Sequence, residues 1–231
     1  MALFETIPTA NRTLRALARL LGYPDAETRA NVDEMAAALD AEAALGTPRR
    51  AELQGLLQSI AHRPPLEVEA EYVELFDRGR STSLHLFEHV HGDSRERGPA
   101  MVDLLRTYES AGLHLAPGEL PDYLPVVLEF ASTQPPREAR ALLCEFVHLL
   151  NALFAALQRR RSAYASVIAS LIELAGEKAE AVAIVADEPI DASWAEPPVF
   201  GGCSALGQTR PQQAQPIHFV RSTSVAGGVQ A

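Results

Sequence analysis

The chain has 231 residues, 47% of them hydrophobic, and sets 30 acidic against 20 basic side chains for a formal net charge of -10. That length and apolar share suffice for one sizeable core, while the acidic balance argues against a nucleic-acid partner, whose binders carry a basic face, and favours a basic partner. Two cysteines, Cys144 and Cys203, match no metal-ligand spacing, so neither a disulfide staple nor a cysteine metal site is expected and a reducing compartment follows.

In chain order, Met1 to Ala10 lacks a basic start followed by an apolar run, so no signal peptide is expected. Leu14, Leu17, Leu20 and Leu21 form a first helical stripe, stopped by Gly22 and Pro24. Asp25 is placed to cap a second helix running toward Leu45 and Gly46. Thr47 with Pro48 is a cap-then-proline start for a third, reaching about Ile60. After Pro64-Pro65 comes a short helix with Val68, Tyr72, Leu75 and Phe76 on one side, ended by Gly79. Gly98-Pro99 opens the next, with Met101, Leu105 and Tyr108 inward and Gly112 as its stop.

Asp122 is the expected N-cap of a helix through about Ser132, with Pro125 in the first turn, where a missing N–H costs little. Pro135-Pro136 begins a long helix striped by Leu143, Phe146, Leu150, Leu153 and Leu157. After the Arg159-Arg160-Arg161 run, a further helix carries Tyr164, Ile168, Leu171 and Ala175 to Gly176, and Ala179 to Ala186 is a last helical candidate. No β-branched run alternates with polar residues between turn signals. From about Glu188 the composition shifts to Pro, Gly, Gln and Ser. The expectation is an all-α, compact single-domain bundle of about eight to ten helices over 1–187, with a flexible C-terminal tail over 188–231 that is dispensable for folding. The longest uncharged apolar stretch, Phe146 to Gln158, falls short of the ~20 residues of a spanning helix, so a soluble cytoplasmic protein without stable membrane association is expected.

The informative segment runs from Glu67 to Arg97. Glu67, Glu71 and Glu74 share one helix face, and Val68, Tyr72, Leu75 and Phe76 the adjoining one. One reading is an apolar groove wall with an acidic rim, suited to a basic amphipathic peptide. Periodicity alone favours an ordinary surface helix, and Tyr72 and Phe76 taken alone read as core before they read as ligand contacts. Arg78 and Arg80, around Gly79, offer guanidinium forks for carboxylates or phosphate. A phosphate loop would need more glycine and a Lys-Ser/Thr ending, and pairing of these arginines with Asp77 or Asp93 accounts for them equally well. His85 and His89, at i and i+4, and His91, with Glu88 between, could suggest zinc, but HExxH is absent and Gly92 interrupts the helix, so no metal is expected. No dinucleotide turn and no nucleophile elbow appears, and nothing asks for an enzyme.

The stretch Tyr72 to Leu105, YVELFDRGRSTSLHLFEHVHGDSRERGPAMVDLL, resembles the signature region of the NarJ-type nitrate reductase molybdenum-cofactor assembly chaperones. Leu20-Leu21-Gly22-Tyr23-Pro24-Asp25 and Glu119-Leu120-Pro121-Asp122-Tyr123-Leu124-Pro125 agree in the same order, so the likeness spans roughly residues 14 to 175. It implies a helical fold shared with redox-enzyme maturation chaperones, no catalysis and no cofactor of its own. The implied partner is the apo catalytic (alpha) subunit of nitrate reductase, bound through its N-terminal leader-like peptide, kept competent for molybdenum cofactor insertion and held back from membrane docking. Molybdenum cofactor biosynthesis proteins join the implied partners. Carried onto this chain, the family motif falls on Glu71, Tyr72, Leu75 and Phe76, its charged exit on Asp77, Arg78 and Gly79, its FEHVHG block on Phe87 to Gly92, and its L-P-D-x-L-P block on Leu120 to Pro125. Related chaperones often have His where this chain has Tyr123, so a role resting on that His does not carry over. The expected client contacts are Glu67, Glu71, Tyr72, Glu74, Leu75, Phe76, Asp77, Arg78, His89, Asp122, Tyr123 and Glu129, with the stretch Asp122 to Glu129 the next place to look if the acidic rim fails. Two other classes compete: a metal-dependent hydrolase using His85, His89, His91 and Glu88, and a non-catalytic scaffold subunit retained in a membrane complex.

Overall fold

A computed structural model of the chain describes residues 8–91 and 95–180, the His91 side chain excepted. Among the described residues the backbone is all-α, with one antiparallel bridge between His85 and Tyr123 as its only β pairing. The expected tail, 188–231, lies outside the described residues, as does most of the candidate helix Ala179 to Ala186; residues 177–180 are not helical.

Helix α1 (Asn11–Leu21) buries Leu14, Leu17, Leu20 and Leu21. The helix expected from Asp25 to Leu45 forms as two, α2 (Ala26–Ala30) and α3 (Val32–Glu42). Asp25 caps α2, accepting the Thr28 N–H at 2.7 Å. The break falls at Asn31 (φ -97°, ψ 9°), a residue whose side chain competes with helical backbone bonds. It swings Val32, Met35 and Leu39 into the core, where α3 packs on α1. Arg29 fastens α2 to the end of α4 (Thr47–His62) by donating to the carbonyls of Ile60, Ala61 and Arg63, the orphan acceptors of that helix end. The cap of α4 is Gly46 rather than the expected Thr47. Its N–H is taken by the Glu173 carboxylate at 2.7 Å.

Helix α5 (Pro65–Tyr72) runs into a π turn (Val73–Asp77), closed by the Arg78 N–H on the Val73 carbonyl at 3.3 Å. The extra residue in that turn lets Leu75 and Phe76 both face inward. A 3-10 turn (Arg80–Thr82) follows. Gly79 is needed for close approach rather than for a left-handed backbone: at φ -114°, a β-carbon there would stand 2.6 Å from both the Arg160 guanidinium and the Thr82 hydroxyl.

Next come α6 (Leu86–His91), α7 (Arg97–Ser110) and α8 (Leu124–Thr133). In α7 the buried pair is Leu104 and Tyr108, one turn apart, and Met101 and Leu105 sit half-buried beside it. The long helix expected from Pro136 breaks at Phe146 (φ -98°, ψ 0°) into α9 (Pro136–Glu145) and α10 (Val147–Arg159), with a 65° bend between them. The bend lets both segments pack on α11 (Ala165–Ala175), which is buried along almost its whole length and ends at left-handed Gly176. Among the described residues no single helix is long and apolar enough to cross a membrane.

One large apolar cluster joins α1, α3, α4, α5, α8, α10 and α11. A smaller second cluster, Leu104, Tyr108, Val126 and Phe130, lies between α7 and α8, with Phe87, Leu113, Leu115, Tyr123 and Leu142 around it.

Candidate functional site

The face singled out by the Glu67–Arg97 segment divides in two. Its acidic half is on the surface, but the carboxylates are answered locally. Arg63 pairs with Glu71 and, at 3.9 Å, with Glu67; Arg78 pairs with Glu74 at 2.9 Å. Arg78 thus ties back to Glu74 rather than to Asp77, which is exposed. The apolar half is inside: Tyr72, Leu75 and Phe76 are 4%, 6% and 5% exposed. The Tyr72 hydroxyl donates to the Leu21 carbonyl at 2.7 Å and lies 3.3 Å from the Tyr123 hydroxyl. Its ring packs on Tyr23, Phe76 and Tyr164. Burial pushes the Tyr72 and Tyr164 phenols up. The geometry therefore makes Tyr72, Leu75 and Phe76 part of the main core rather than the wall of an open groove.

The two tyrosines in this cluster are bonded differently, which gives a test. The Tyr164 hydroxyl is buried with no hydrogen-bond partner, whereas that of Tyr72 satisfies a helix-end carbonyl. Tyr72→Phe is expected to cost about 1 kcal/mol, and Tyr164→Phe to be neutral or slightly stabilising. Denaturant midpoints of the two variants measure the difference.

The His-rich block is held by Asp122. Asp122 was the expected N-cap of α8, but Tyr123 occupies the cap position, and the Asp122 carboxylate is fully buried facing the other way. It accepts the Phe87 N–H at 3.1 Å and lies 3.4 Å from His85 Nδ1 and 3.6 Å from Arg97. Backbone bonds Leu86 N–H to Asp122 C=O and Leu124 N–H to Leu84 C=O close the same seam. The hydrogen bond to Asp122 raises the His85 pKa, against the opposing effect of burial. Its ring packs on Tyr123 at 5.2 Å. His89 Nε2 lies 2.8 Å from the Ser83 carbonyl, and Glu88 accepts the Ser83 hydroxyl. His85 and His89 are thus both engaged in binding one segment of chain to the next. Among the described residues no three His, Cys, Asp or Glu side chains come together as a metal site.

An open groove lies instead over the second core cluster. It measures about 440 Å³, within the ~300–1,000 Å³ of common ligand sites. Its floor is the α8 face Val126, Glu129, Phe130 and Thr133, spaced i, i+3, i+4, i+7, with Tyr108 from α7 beside it. Tyr108 is anchored by its hydroxyl on the Pro121 carbonyl at 2.8 Å. Leu113 and Leu115 form a lip, and Arg15 from α1 lines the groove beside Ser132, at the end of the floor helix. Glu129 is exposed in the middle of this apolar face, and among the described residues no cation pairs with its carboxylate. Of the expected contacts only Glu129 lines the groove. Asp122 and Tyr123 lie just before its floor helix and fix where that helix starts. Val126 falls within the stretch Asp122 to Glu129 named as the next place to look; Tyr108, Phe130 and the Leu113–Leu115 lip were not singled out as contacts. The available signal was the lone carboxylate inside an otherwise apolar i, i+3, i+4 stripe of α8.

Comparison with known proteins matches residues 23–170 to the nitrate reductase delta subunit family. The chain is 43% identical over 190 residues to the nitrate reductase molybdenum cofactor assembly chaperone NarJ of Escherichia coli strain K12, covering 78% of this chain and 80% of that protein. It is 32% identical over 130 residues to the chlorate reductase assembly chaperone protein of Ideonella dechloratans, covering 55% and 56%. Among solved structures, a redox enzyme maturation protein from Archaeoglobus fulgidus superposes with a TM-score of 0.55 at 16% identity, covering 77% of this chain and all of the other. That likeness establishes a shared fold.

Proposed function

Because the chain belongs to the nitrate reductase delta subunit family, we propose that it chaperones the apo catalytic subunit of a nitrate reductase by holding that subunit's N-terminal segment in the α7–α8 groove. The role is that of an assembly chaperone for a molybdenum enzyme, not of an enzyme, as in the relatives that share most of its length. Bound there, the segment is kept from the membrane subunit until the cofactor is in place, which puts the work in the cytoplasm.

The observation that supports this mode is Glu129. A carboxylate without a cation, set among Val126, Phe130, Leu113 and Leu115, asks for an occupant that is apolar on one side with a basic residue in the middle. An amphipathic helix laid in a groove has that composition, and the overall charge of -10 draws a basic segment in from solution.

Calorimetric titration of the full chain with a synthetic peptide of the catalytic subunit's N-terminus tests the mode. Glu129→Gln should weaken binding by about 0.2–1 kcal/mol, as for an exposed pair. Leu115→Ala should cost more, about 1.5 kcal/mol, from lost apolar burial. Unchanged affinity in the folded double variant would move the site off this groove. The role itself is read from the molybdenum content of the catalytic subunit purified from cells lacking this chain. The subunit is expected to be present without molybdenum, and full loading in the absence of any related chaperone would contradict it.

A further inference from the structure

We propose that the groove is electrically polarised along α8 and holds its helical occupant in one direction, amino end toward Glu119 and carboxyl end toward Arg15. This rests on the groove being the client site and adds to it the direction in which the client lies.

The two ends of the groove differ in charge. Before α8 begins, the chain brings Glu119 to the rim, its carboxylate held by the Ala116 N–H at 3.0 Å. The Tyr108 hydroxyl on the Pro121 carbonyl fixes this end against the floor. At the far end, Ser132 in the last turn of α8 accepts from Arg15 Nε at 3.2 Å. That bond uses only the Nε–H of the guanidinium. Its two terminal nitrogens have no hydrogen bond or ion pair among the described residues. Arg19, the other arginine at the rim, already pairs with Glu27 at 3.2 Å and Asp25 at 3.7 Å. Arg15 is therefore the cation this end offers.

An apolar stripe cannot set a direction by itself, because leucines at i, i+3, i+4 and i+7 cover nearly the same surface when the helix is reversed. Charge can. A helix carries about half a positive charge at its amino end and half a negative one at its carboxyl end. With its amino end at Glu119 and its carboxyl end at Arg15, both ends meet the opposite full charge of a side chain, which outweighs the half charges at the ends of α8 that act the other way; reversed, both meet like charge. The last carbonyls of the occupant are acceptors without intrahelical partners, and the free edge of the Arg15 guanidinium suits them. The client helix thus runs parallel to α8.

The test uses the full chain carrying a nitroxide at Arg137→Cys, an exposed position in the first turn of α9, just past the end of α8 and outside the groove lining, with Cys144→Ser and Cys203→Ser removing the native thiols. The probe is a synthetic 15-residue amphipathic peptide, acetylated and amidated, with a leucine stripe, one central lysine and a second nitroxide at its first or last residue. Pulsed dipolar spectroscopy reads the distances. The carboxyl-end label is expected nearer residue 137, with the amino-end label farther by the ~22 Å length of such a helix. Arg15→Gln should lower affinity about threefold and introduce a second, reversed population, with an unchanged thermal melt. Glu119→Gln should do the same. A peptide that binds with its amino end toward residue 137, or with both directions equally populated in the unsubstituted groove, overturns the direction alone. If the peptide does not bind, or binds with neither label near residue 137, the client-site reading falls and the direction with it.

Discussion

Phe76→Ala is expected to destabilise the fold by about 3–5 kcal/mol and to leave the peptide affinity of the folded fraction unchanged. The ring is 5% exposed, 4.8 Å from Tyr72 and 5.1 Å edge-on from Tyr164. Truncation removes its transfer energy and both aromatic contacts, and it opens a void between the π turn and α11 that helices on both sides cannot easily close. A loss of that size is a large part of the ~5–15 kcal/mol by which a domain is stable, so the variant should melt well below the parent. Thermal melts and peptide titration at a temperature where the variant still folds separate the two readings of the Tyr72–Phe76 face. A near-normal melt with lost peptide binding would show that the ring touches the client, and the site would return to the Glu67–Phe76 face.

Much of this architecture is written in local sequence. The leucine stripe of α1, the cap at Asp25, the double prolines before α5 and α9 and the glycine after α11 all act through a few neighbouring residues, and all appear where expected. What was not legible depends on residues far apart in the chain. Asn31 and Phe146 break helices because α3 must reach α1 and α10 must wrap α11, and neither residue is a strong breaker by itself. Asp122 has the spacing of a cap, yet its carboxylate is turned toward Phe87, 35 positions earlier. The groove is hardest to foresee, since its walls come from α1, α7, the Leu113–Leu115 lip and α8. The Glu67–Phe76 motif drew the eye because its pattern is strong, but a strong apolar pattern is also what a core helix requires. Glu129, a charge on an apolar face, is the sequence feature that points to the groove proposed above.

Asp122→Ala is expected to cost about 3 kcal/mol, at the lower end for breaking a buried ion pair. The carboxylate has no exposure, and three groups depend on it: the Phe87 N–H, His85 and Arg97. His85 and Arg97 keep some solvent contact, with side chains 32% and 25% exposed, which limits the loss. The Phe87 N–H gains no replacement acceptor and supplies a good part of it. Asp122→Asn keeps an oxygen for that N–H while removing the charge, so it should cost distinctly less, and the gap between the two variants isolates the charge. The same seam should respond to pH. The folded-state pKa of His85 is raised, chiefly by its hydrogen bond to Asp122. The stability it contributes is therefore complete below the unfolded value of about 6.5 and is lost as pH rises through the folded value above it. Urea titrations between about pH 6 and pH 9 should show the parent falling relative to His85→Gln across that window. Because Asp122 closes the seam that positions the start of α8, loosening it should also weaken peptide binding in the groove that α8 floors, without any contact between Asp122 and the peptide. A folded Asp122→Asn protein with parent-like stability and no pH dependence lost would show that the seam is held by its backbone bonds alone.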